Sequence, residues 1–243
     1  MNALPAIELQ GVTLVRGTTP VFEDLSLSLR DARVGLIGDN GAGKSSLFRL
    51  LCGLEEARAG TVRVAGQDLR SLATGTVGLM FQNPDEQIIF PTVEEELAFS
   101  LSARGLPRRE ARERARAFLA QRGLAAWAGR AIGSLSQGQR QHVCWLALVI
   151  GAPKVLLLDE PFASLDLPGQ ALLRQEIAQA AQTVIVSTHL LDHVRDFARV
   201  LWLERGRVRA DGPGHEVCAA YEADVAARLA ARQLSLADLA PTA

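Results

Sequence analysis

Long hydrophobic runs are missing from this sequence of 243 residues. The longest strongly apolar stretch, residues 143–152, is well short of the roughly 20 residues that a helix needs to cross a bilayer. Residues 1–10 carry Pro5 and Glu8 and lack the basic start and apolar stretch of a secretory signal. We therefore expect no membrane span and no signal peptide, while docking onto a membrane protein stays open.

Cysteine is scarce, and neither sign of charge is in large excess. Cys52, Cys144 and Cys218 are widely spaced and include no CxxC pair, which predicts neither a zinc site nor a disulfide framework and fits a reducing cytosol. The 26 basic and 27 acidic residues give a net charge of −1, so the basic excess typical of nucleic-acid binding is absent. Nucleic acid is therefore not an expected partner, and the length suits one substantial core with at most a subdomain.

Apolar periodicity predicts a β-rich start followed by helices and strands. Residues 7–15 and 21–29 alternate as half-buried strands do, whereas residues 155–158 form the continuous apolar run of a strand buried on both faces. Residues 108–116 mix both signs of charge at helical spacing, which predicts a solvated helix face. Further strands are predicted at 34–37, 61–64, 77–81, 183–186, 201–203 and 207–210, and helices at 45–54, within 92–122, between Ser136 and Ile150, at 168–181 and beyond Gly214.

The strongest chemical signal is GDNGAGKS at residues 38–45, which fits the phosphate-loop pattern GxxxxGK[ST] between a predicted strand and a predicted helix. Glycines let backbone N–H groups curl around phosphate oxygens, and the helix N-terminus adds partial positive charge. Lys44 would reach the β- and γ-phosphates, and Ser45 would supply a hydroxyl to Mg²⁺. Lys44 and Lys154 are the only lysines among the 26 basic residues, which favours a role for which a compact ammonium is needed.

Two further segments carry chemistry only in combination with this loop. The strand at 155–158 delivers Asp159 and Glu160 at its carboxyl end, where open α/β sheets bind ligands; Asp159 would hold Mg²⁺ and Glu160 would polarise the attacking water. The segment LSQGQ at 135–139 opens a helix, with Ser136 as its N-cap. Together with Gly138, it would expose N–H groups able to hold an anion.

The order of the motifs resembles that of the ATPase subunits of ABC transporters. The phosphate loop is followed by Gln82 after an apolar strand, LSQGQ at 135–139, LLLDEP at 156–161, SLD at 164–166, and His189 after a β-branched strand. The resemblance covers roughly residues 7–212. It implies ATP hydrolysis to ADP and phosphate by in-line attack of water on the γ-phosphate, with ATP and Mg²⁺ as cofactors.

In that family two ATPase subunits sandwich two ATP molecules, and each phosphate loop faces the signature motif of the other subunit. The resemblance implies catalytic roles for Glu160, His189, Gln82 and Lys44 and Mg²⁺ contacts for Ser45, Gln82 and Asp159. The other residues expected to contact the nucleotide are Asn40, Gly41, Ala42, Gly43, Lys44, Ser45, Ser46, Ser136, Gly138, Gln139 and Asp166. A second copy of the chain is the expected dimer partner.

The implied fold is α/β: a P-loop core with a mainly parallel sheet, an antiparallel β portion near the N-terminus and a helical subdomain. We expect residues 1–85 and 153–210 to form the nucleotide-binding core. Residues 86–152 would form the helical subdomain that carries the signature motif, and residues 211–243 a short C-terminal tail whose role the sequence leaves unassigned.

The stretch from Phe81 to Phe99, FQNPDEQIIFPTVEEELAF, is similar to the corresponding region of energy-coupling factor importers. That resemblance implies a transmembrane T component, a substrate-binding S component and a peripheral position on the cytoplasmic face of the cell membrane, with membrane contact only through these partners. Asp85, Glu86 and the glutamates at 94–96 would receive basic residues of the membrane component, or are ordinary surface and first-turn charges.

Two positions depart from the family pattern. Gln137 replaces the usual glycine of the signature motif, and the aromatic residue that usually stacks on adenine is absent near Val15 and Arg16. We expect ATP hydrolysis to survive with glutamine at position 137. The Arg16 guanidinium either stacks on the base or faces solvent, and both interpretations stay open.

The leading prediction is the ATP-hydrolysing subunit of a vitamin importer, most similar to the biotin-transporter ATPases. The short tail, the missing aromatic residue and the start of the phosphate-loop strand at Arg33 favour that group. A cobalt, nickel or other vitamin importer is the alternative. A soluble ABC ATPase is more distant, because such proteins usually carry a long insertion or two cassettes. Glu160 and His189 disfavour a binding module without turnover.

Overall fold

The computed structural model describes residues 5–232. Within them the strands are β1 (Ile7–Arg16), β2 (Thr19–Leu29), β3 (Arg33–Ile37), β4 (Ala59–Val64), β5 (Gln67–Asp68), β6 (Val77–Met80), β7 (Val155–Asp159), β8 (Thr183–Ser187), β9 (Arg199–Glu204) and β10 (Arg207–Gly212). The α-helices are α1 (Lys44–Leu51), α2 (Val93–Ser102), α3 (Arg108–Gln121), α4 (Gln137–Ile150), α5 (Leu167–Gln179) and α6 (Gly214–Arg232).

The strands of the described chain form two sheets. One has the order β2-β1-β4-β5, and its neighbouring strands run antiparallel. The other has the order β10-β9-β3-β8-β7-β6, and its neighbours are parallel except in the β9–β10 hairpin. The predicted fold class is confirmed, since an antiparallel sheet near the N-terminus accompanies a mainly parallel sheet and helices.

The central strands are apolar throughout because both faces of the parallel sheet are covered. In β7, Leu156 and Leu158 point into the core shared with α2, α3 and α4. Val155 and Leu157 point to the opposite face, into the core shared with α1 and the antiparallel sheet. The side chains of residues 155–158 therefore pack into two cores, which leaves the end of the strand as the place for polar groups.

Helices α2, α3 and α4 pack together on one side of the parallel sheet. Helix α3 buries Ala111, Ala115 and Leu119, which recur every four residues along one face. The predicted charged face is confirmed in part. Arg109 and Arg114 pair along the exposed helix surface, with Glu113 and Glu110 respectively, whereas Arg112 and Arg116 of the same helix turn toward α2.

The glutamates at the start of α2 form ion pairs and hydrogen bonds within the chain. Glu94 is buried and pairs with Arg112 and Arg116. Glu96 is also buried and accepts hydrogen bonds from the backbone N–H groups of Ile89 and Phe90 at 2.9 and 2.8 Å. Both lie in the first turn of α2, as one of the two interpretations expects. Their carboxylates are buried and hold α2 to α3 and to the preceding loop, so they are neither free docking charges nor solvated surface charges.

Several predicted boundaries differ from the observed ones by a few residues. The helix predicted at 45–54 ends at Leu51, because Cys52 is its C-cap and Gly53 adopts a left-handed backbone with φ of 72°. The helix predicted at 168–181 is α5, which ends at Gln179 because Ala180 is extended. The strand predicted at 77–81 ends at Met80.

No helix within residues 5–232 is long and apolar enough to cross a membrane. Cys52, Cys144 and Cys218 are free thiols. Burial raises the pKa of Cys52 and of Cys144 to about 12, so both thiols stay protonated near neutral pH.

The register of the parallel sheet aligns three strand ends. Leu36 of β3 lies opposite Ser187 of β8, and Ser187 lies opposite Asp159 of β7. The chain leaves these strands toward the same edge, as the phosphate loop after β3, Glu160 after β7 and His189 after β8. The sheet therefore brings together chemical groups that lie as far apart in the sequence as Gly38 and His189.

Candidate nucleotide-binding site

The loop between β3 and α1 has a shape that glycine alone fits at two points. Gly38 has φ of 141°, and a Cβ there would collide with the backbone oxygen of Leu203. Gly43 has φ of 108°, and a Cβ there would lie 2.8 Å from Cε1 of Phe22. The loop is thus pressed against the β9–β10 hairpin and β2, with its N–H groups at the start of α1.

Lys44 lies inside the loop and is buried. Its ammonium Nζ donates to the carbonyl oxygens of Gly38 at 2.7 Å and of Asp39 at 3.1 Å. Burial lowers the pKa of Lys44, and the negative charges of Glu160, Asp159 and Asp39 oppose that effect. A compact cation held by carbonyl oxygens can exchange them for phosphate oxygens.

Asp159 and Ser45 form the oxygen-rich part of the site. Burial raises the pKa of the Asp159 carboxyl, and the neighbouring Ser45 and Ser187 hydroxyls oppose that effect. A carboxylate, a hydroxyl and the side-chain amide oxygen of Gln82 are hard oxygen donors that suit Mg²⁺, which takes its other ligands from water and phosphate. The donor set therefore fits magnesium, although the described part of the chain has no group of three or more histidine, cysteine or acidic side chains arranged to hold a metal ion by themselves.

Glu160 and His189 contact each other at the same edge. The backbone N–H and the ring Nδ1 of His189 lie 3.2 and 2.8 Å from Oε2 of Glu160. Glu160 has φ of 48°, an uncommon backbone conformation for a residue other than glycine, and its N–H donates to the Ser187 oxygen at 2.8 Å. This tight turn points the carboxylate toward the histidine.

One cavity of about 930 Å³ joins these groups. Ala42, which was predicted to contact nucleotide, is buried behind the loop, where its N–H donates to the Asp39 oxygen at 3.1 Å and its oxygen accepts from Gly206 N at 3.0 Å. The predicted site residues that line the cavity are Arg16, Asn40, Gly41, Gly43, Lys44, Ser45, Ser46, Gln82, Asp159, Glu160 and His189.

The signature residues lie elsewhere in the chain, around a second cavity. This cavity, of about 630 Å³, is lined by Ser136, Gly138, Gln139 and Asp166 among others. Ser136 and Gln139 form a capping box at the start of α4, with Gln139 N donating to Ser136 Oγ at 3.2 Å and Ser136 N to Gln139 Oε1 at 3.1 Å. One chain therefore does not bring its signature motif to its own phosphate loop.

Arg16 reaches the nucleotide cavity with its guanidinium already paired. It forms an ion pair with Glu55 and donates to Ser46 Oγ at 3.1 Å. Stacking on a base would therefore require Arg16 to leave Glu55.

Sequence reasoning missed the contribution of the C-terminal helix. Tyr221 of α6 lines the nucleotide cavity and donates to Oδ1 of Asp39 at 2.7 Å, and Arg228 pairs with the same carboxylate. The available signals were that Tyr221 is the only tyrosine of the chain and that Tyr221, Asp224 and Arg228 recur at helical spacing. Neither signal indicates contact with a loop that lies more than 180 residues earlier.

Comparisons with known proteins agree with this geometry. A sequence profile described as ABC transporter matches residues 22–163. A biotin transport ATP-binding protein of Rhodobacter capsulatus is 49% identical over 221 residues, which are 90% of this chain and 94% of that relative. A nickel import ATP-binding protein of the same organism is 40% identical over 233 residues, covering 88% of this chain and 92% of that relative. The solved structure of cbiO1 from Clostridium perfringens, part of the ABC transporter complex cbiONQ, matches with a TM-score of 0.75 at 26% identity, over 94% of this chain and 95% of that one.

The unusual Gln137 makes one contact that a glycine would lose, a hydrogen bond from Nε2 to Ser164 Oγ at 3.0 Å. We expect Gln137→Gly to keep ATP hydrolysis within about fivefold of wild type, because an exposed neutral hydrogen bond contributes only about 0.5–1.5 kcal/mol. Ser136→Ala is the contrasting variant for stability. It removes the side-chain cap of α4, and we expect its free energy of unfolding to fall by about 1 kcal/mol. A tenfold or larger loss in Gln137→Gly at an unchanged melting temperature would show that turnover needs the contact to Ser164.

Proposed function

The chain belongs to the ABC transporter family, and on that premise we propose that it is the ATP-hydrolysing subunit of an energy-coupling factor importer whose first candidate substrate is biotin. The observation that carries the hydrolytic role is the meeting of the phosphate loop, Asp159, Glu160 and His189 in one cavity. The identity of 49% with a biotin transport ATP-binding protein supports the substrate. The substrate itself would be bound by another subunit.

Phosphate binding would rest on Lys44 and on the N–H groups at the start of α1. Lys44 would exchange the carbonyl oxygens of Gly38 and Asp39 for β- and γ-phosphate oxygens. Ser45, Gln82 and Asp159 would hold Mg²⁺, which when bound neutralises charge on these phosphates. The site would thus work mainly by positioning and by charge stabilisation.

We assign to Glu160 the role of binding and polarising the attacking water. Among the described residues, both contacts from His189 go to Oε2 of Glu160, so Oε1 can accept a hydrogen bond from a water molecule. His189 would hold this carboxylate in place and contact the γ-phosphate. The water would then attack phosphorus in line with the leaving ADP oxygen.

A second subunit would complete each site. Ser136, Gly138 and Gln139 lie around a separate cavity of the same chain, so their proposed contact with a γ-phosphate requires a partner chain. Asp166, which caps α5 by accepting from Gly169 N at 3.0 Å, lies on the same cavity and would connect the two sites. We propose a dimer of two copies of this chain.

The membrane partner would dock beside α2. A cavity of about 490 Å³ between α2 and α3 is lined in part by Phe90 and Phe99, and Ile89 next to it is 69% exposed. The short segment from Gln82 to Phe90 connects this apolar surface to the nucleotide cavity. We propose that the T component binds here and that residues 86–152 act as the helical subdomain, with the chain peripheral on the cytoplasmic face.

Transport provides the first test of the proposed function. Co-expressed with candidate T and biotin-binding S subunits, the chain is expected to co-purify, hydrolyse ATP and drive biotin uptake. Lys44→Ala should abolish hydrolysis and uptake, because it removes the cation of the phosphate loop, whereas Lys154→Ala, the other lysine of the chain, should leave both unchanged. A stable complex that hydrolyses ATP without taking up biotin would move the proposal to nickel, cobalt or another vitamin, in line with the nickel import relative. Hydrolysis without any complex would favour a soluble ATPase.

Glu160→Gln tests the chemical step. We expect at least a hundredfold loss of ATP hydrolysis, because general-base positioning contributes about 10²–10⁴-fold, together with an ATP-bound dimer that accumulates on size-exclusion chromatography. Glu56→Gln is the matched control, since Glu56 is exposed and outside the nucleotide cavity. Unchanged turnover in Glu160→Gln would remove Glu160 from its proposed role.

The role of Arg16 can be tested by comparing the binding of ATP, ADP and inorganic triphosphate. If its guanidinium stacks on adenine, Arg16→Ala should weaken ATP and ADP binding by a similar factor of about three to ten and leave inorganic triphosphate binding unchanged. Arg49→Ala is the control, since Arg49 also lies beside Glu55, at 4.0 Å, without lining the cavity. An unchanged ATP affinity in Arg16→Ala would leave a solvent-facing arginine as the correct interpretation.

A further inference from the structure

The C-terminal helix α6 contacts the phosphate loop through one carboxylate. Tyr221 Oη donates to Oδ1 of Asp39 at 2.7 Å, and Arg228 donates from Nη1 to Oδ2 at 2.6 Å and from Nη2 to Oδ1 at 3.2 Å. The Tyr221 ring packs edge-on against Trp202 of β9, with 5.2 Å between ring centroids. Asp39 is therefore held by two side chains of a single helix.

Arg228 is itself placed by a chain of ion pairs. Its Nε lies 2.8 Å from Asp224, and Asp224 lies 2.7 Å from Arg209 of β10. Arg209 also contacts Glu204 at 2.7 Å. Because the charges alternate in sign from Glu204 to Asp39, the network fixes the guanidinium of Arg228 at the end nearest the phosphate loop.

Asp39 is an unfavourable residue for a loop that binds a polyanion. Its backbone oxygen is one of the two that hold the Lys44 ammonium, so its carboxylate belongs to the same turn that would receive the phosphates. A free negative charge there would repel the nucleotide over several ångströms. The bidentate contact with Arg228 offsets that charge in part and lowers the pKa of Asp39.

We propose that Arg228 and Tyr221 are positioning residues for nucleotide binding: Arg228 offsets the charge of Asp39, and both side chains hold its carboxylate on the α6 side of the phosphate loop. This inference rests on the proposed ATP site. Tyr221 lines the nucleotide cavity as well, so α6 forms part of its wall. The C-terminal helix thereby sets the affinity of the loop for phosphates, and movement of α6 away from Asp39 would weaken nucleotide binding.

An effect of the Arg228–Asp39 contact on nucleotide affinity can be distinguished from an effect on folding. The side chains of Arg228 and Asp39 are 41% and 48% exposed, and ion pairs of this exposure contribute little to stability. The Asp39 charge nevertheless acts on several phosphate charges at once. Its effect should therefore increase with the number of phosphates and decrease with salt, whereas damage to folding would follow neither variable.

The experiment measures ATP and ADP affinity by equilibrium titration for Arg228→Ala, Asp39→Asn and the double variant, at low and physiological salt. We expect Arg228→Ala to weaken ATP binding about tenfold at low salt, and ADP binding less. Adding Asp39→Asn should return the affinity to within about twofold of wild type, because it removes the unpaired charge. Arg195→Ala is the matched control: it breaks an ion pair between the loop before β9 and Glu222 of α6 without touching Asp39, and it should stay within about twofold.

Two results would overturn the inference: wild-type affinity in Arg228→Ala, or a loss that Asp39→Asn fails to restore and that is equal for ATP and ADP. Tyr221→Phe gives an independent measurement, since it removes one hydrogen bond to Asp39 while keeping the ring, and it should weaken ATP binding about threefold. Thermal unfolding of each variant separates these effects from misfolding. If the wild-type chain failed to bind ATP, the proposed function would fail instead, so the two failures are distinguishable.

Discussion

The nucleotide site depends on the register of three parallel strands. Because Leu36, Ser187 and Asp159 lie side by side, the segments that follow β3, β8 and β7 emerge at one edge of the sheet. Parallel strands place their carboxyl ends together, and the loops there are free to carry function while the strands stay buried. A shift of one residue between β7 and β8 would move Asp159 and turn its side chain to the other face.

Two-sided burial explains why that register is held. The side chains of β7 alternate between the core beneath the antiparallel sheet and the core beneath the helices, and β8 does the same, with Ile185 on one face and Val184 and Val186 on the other. Any slip would misplace apolar groups in both cores. The strands are therefore held in one register, and charged groups are tolerated where the strands end, which is where Asp159 and Glu160 lie.

The sequence predicted best the features whose signals are local. The run at 155–158, the glycine loop at 38–43 and the cap at Ser136 each follow from neighbouring residues. The features that were missed need distant partners. The contacts of Arg228 and Tyr221 with Asp39, of Arg16 with Glu55 and of Glu94 with Arg112 and Arg116 join elements whose relative placement is set by packing, and charged side chains carry no periodic signal that would name their partners.

Three charged side chains that line the nucleotide cavity have partners within the chain itself. Lys44 is held by two carbonyl oxygens, Glu160 by His189, and Asp39 by Arg228. Binding of a polyphosphate is therefore an exchange of partners, in which the gain at Lys44 is reduced by the contacts that it gives up. Since that gain increases with phosphate charge while the contacts given up are fixed, the arrangement favours a triphosphate over shorter nucleotides. The paired state also avoids the cost of leaving a buried ammonium without hydrogen-bond partners.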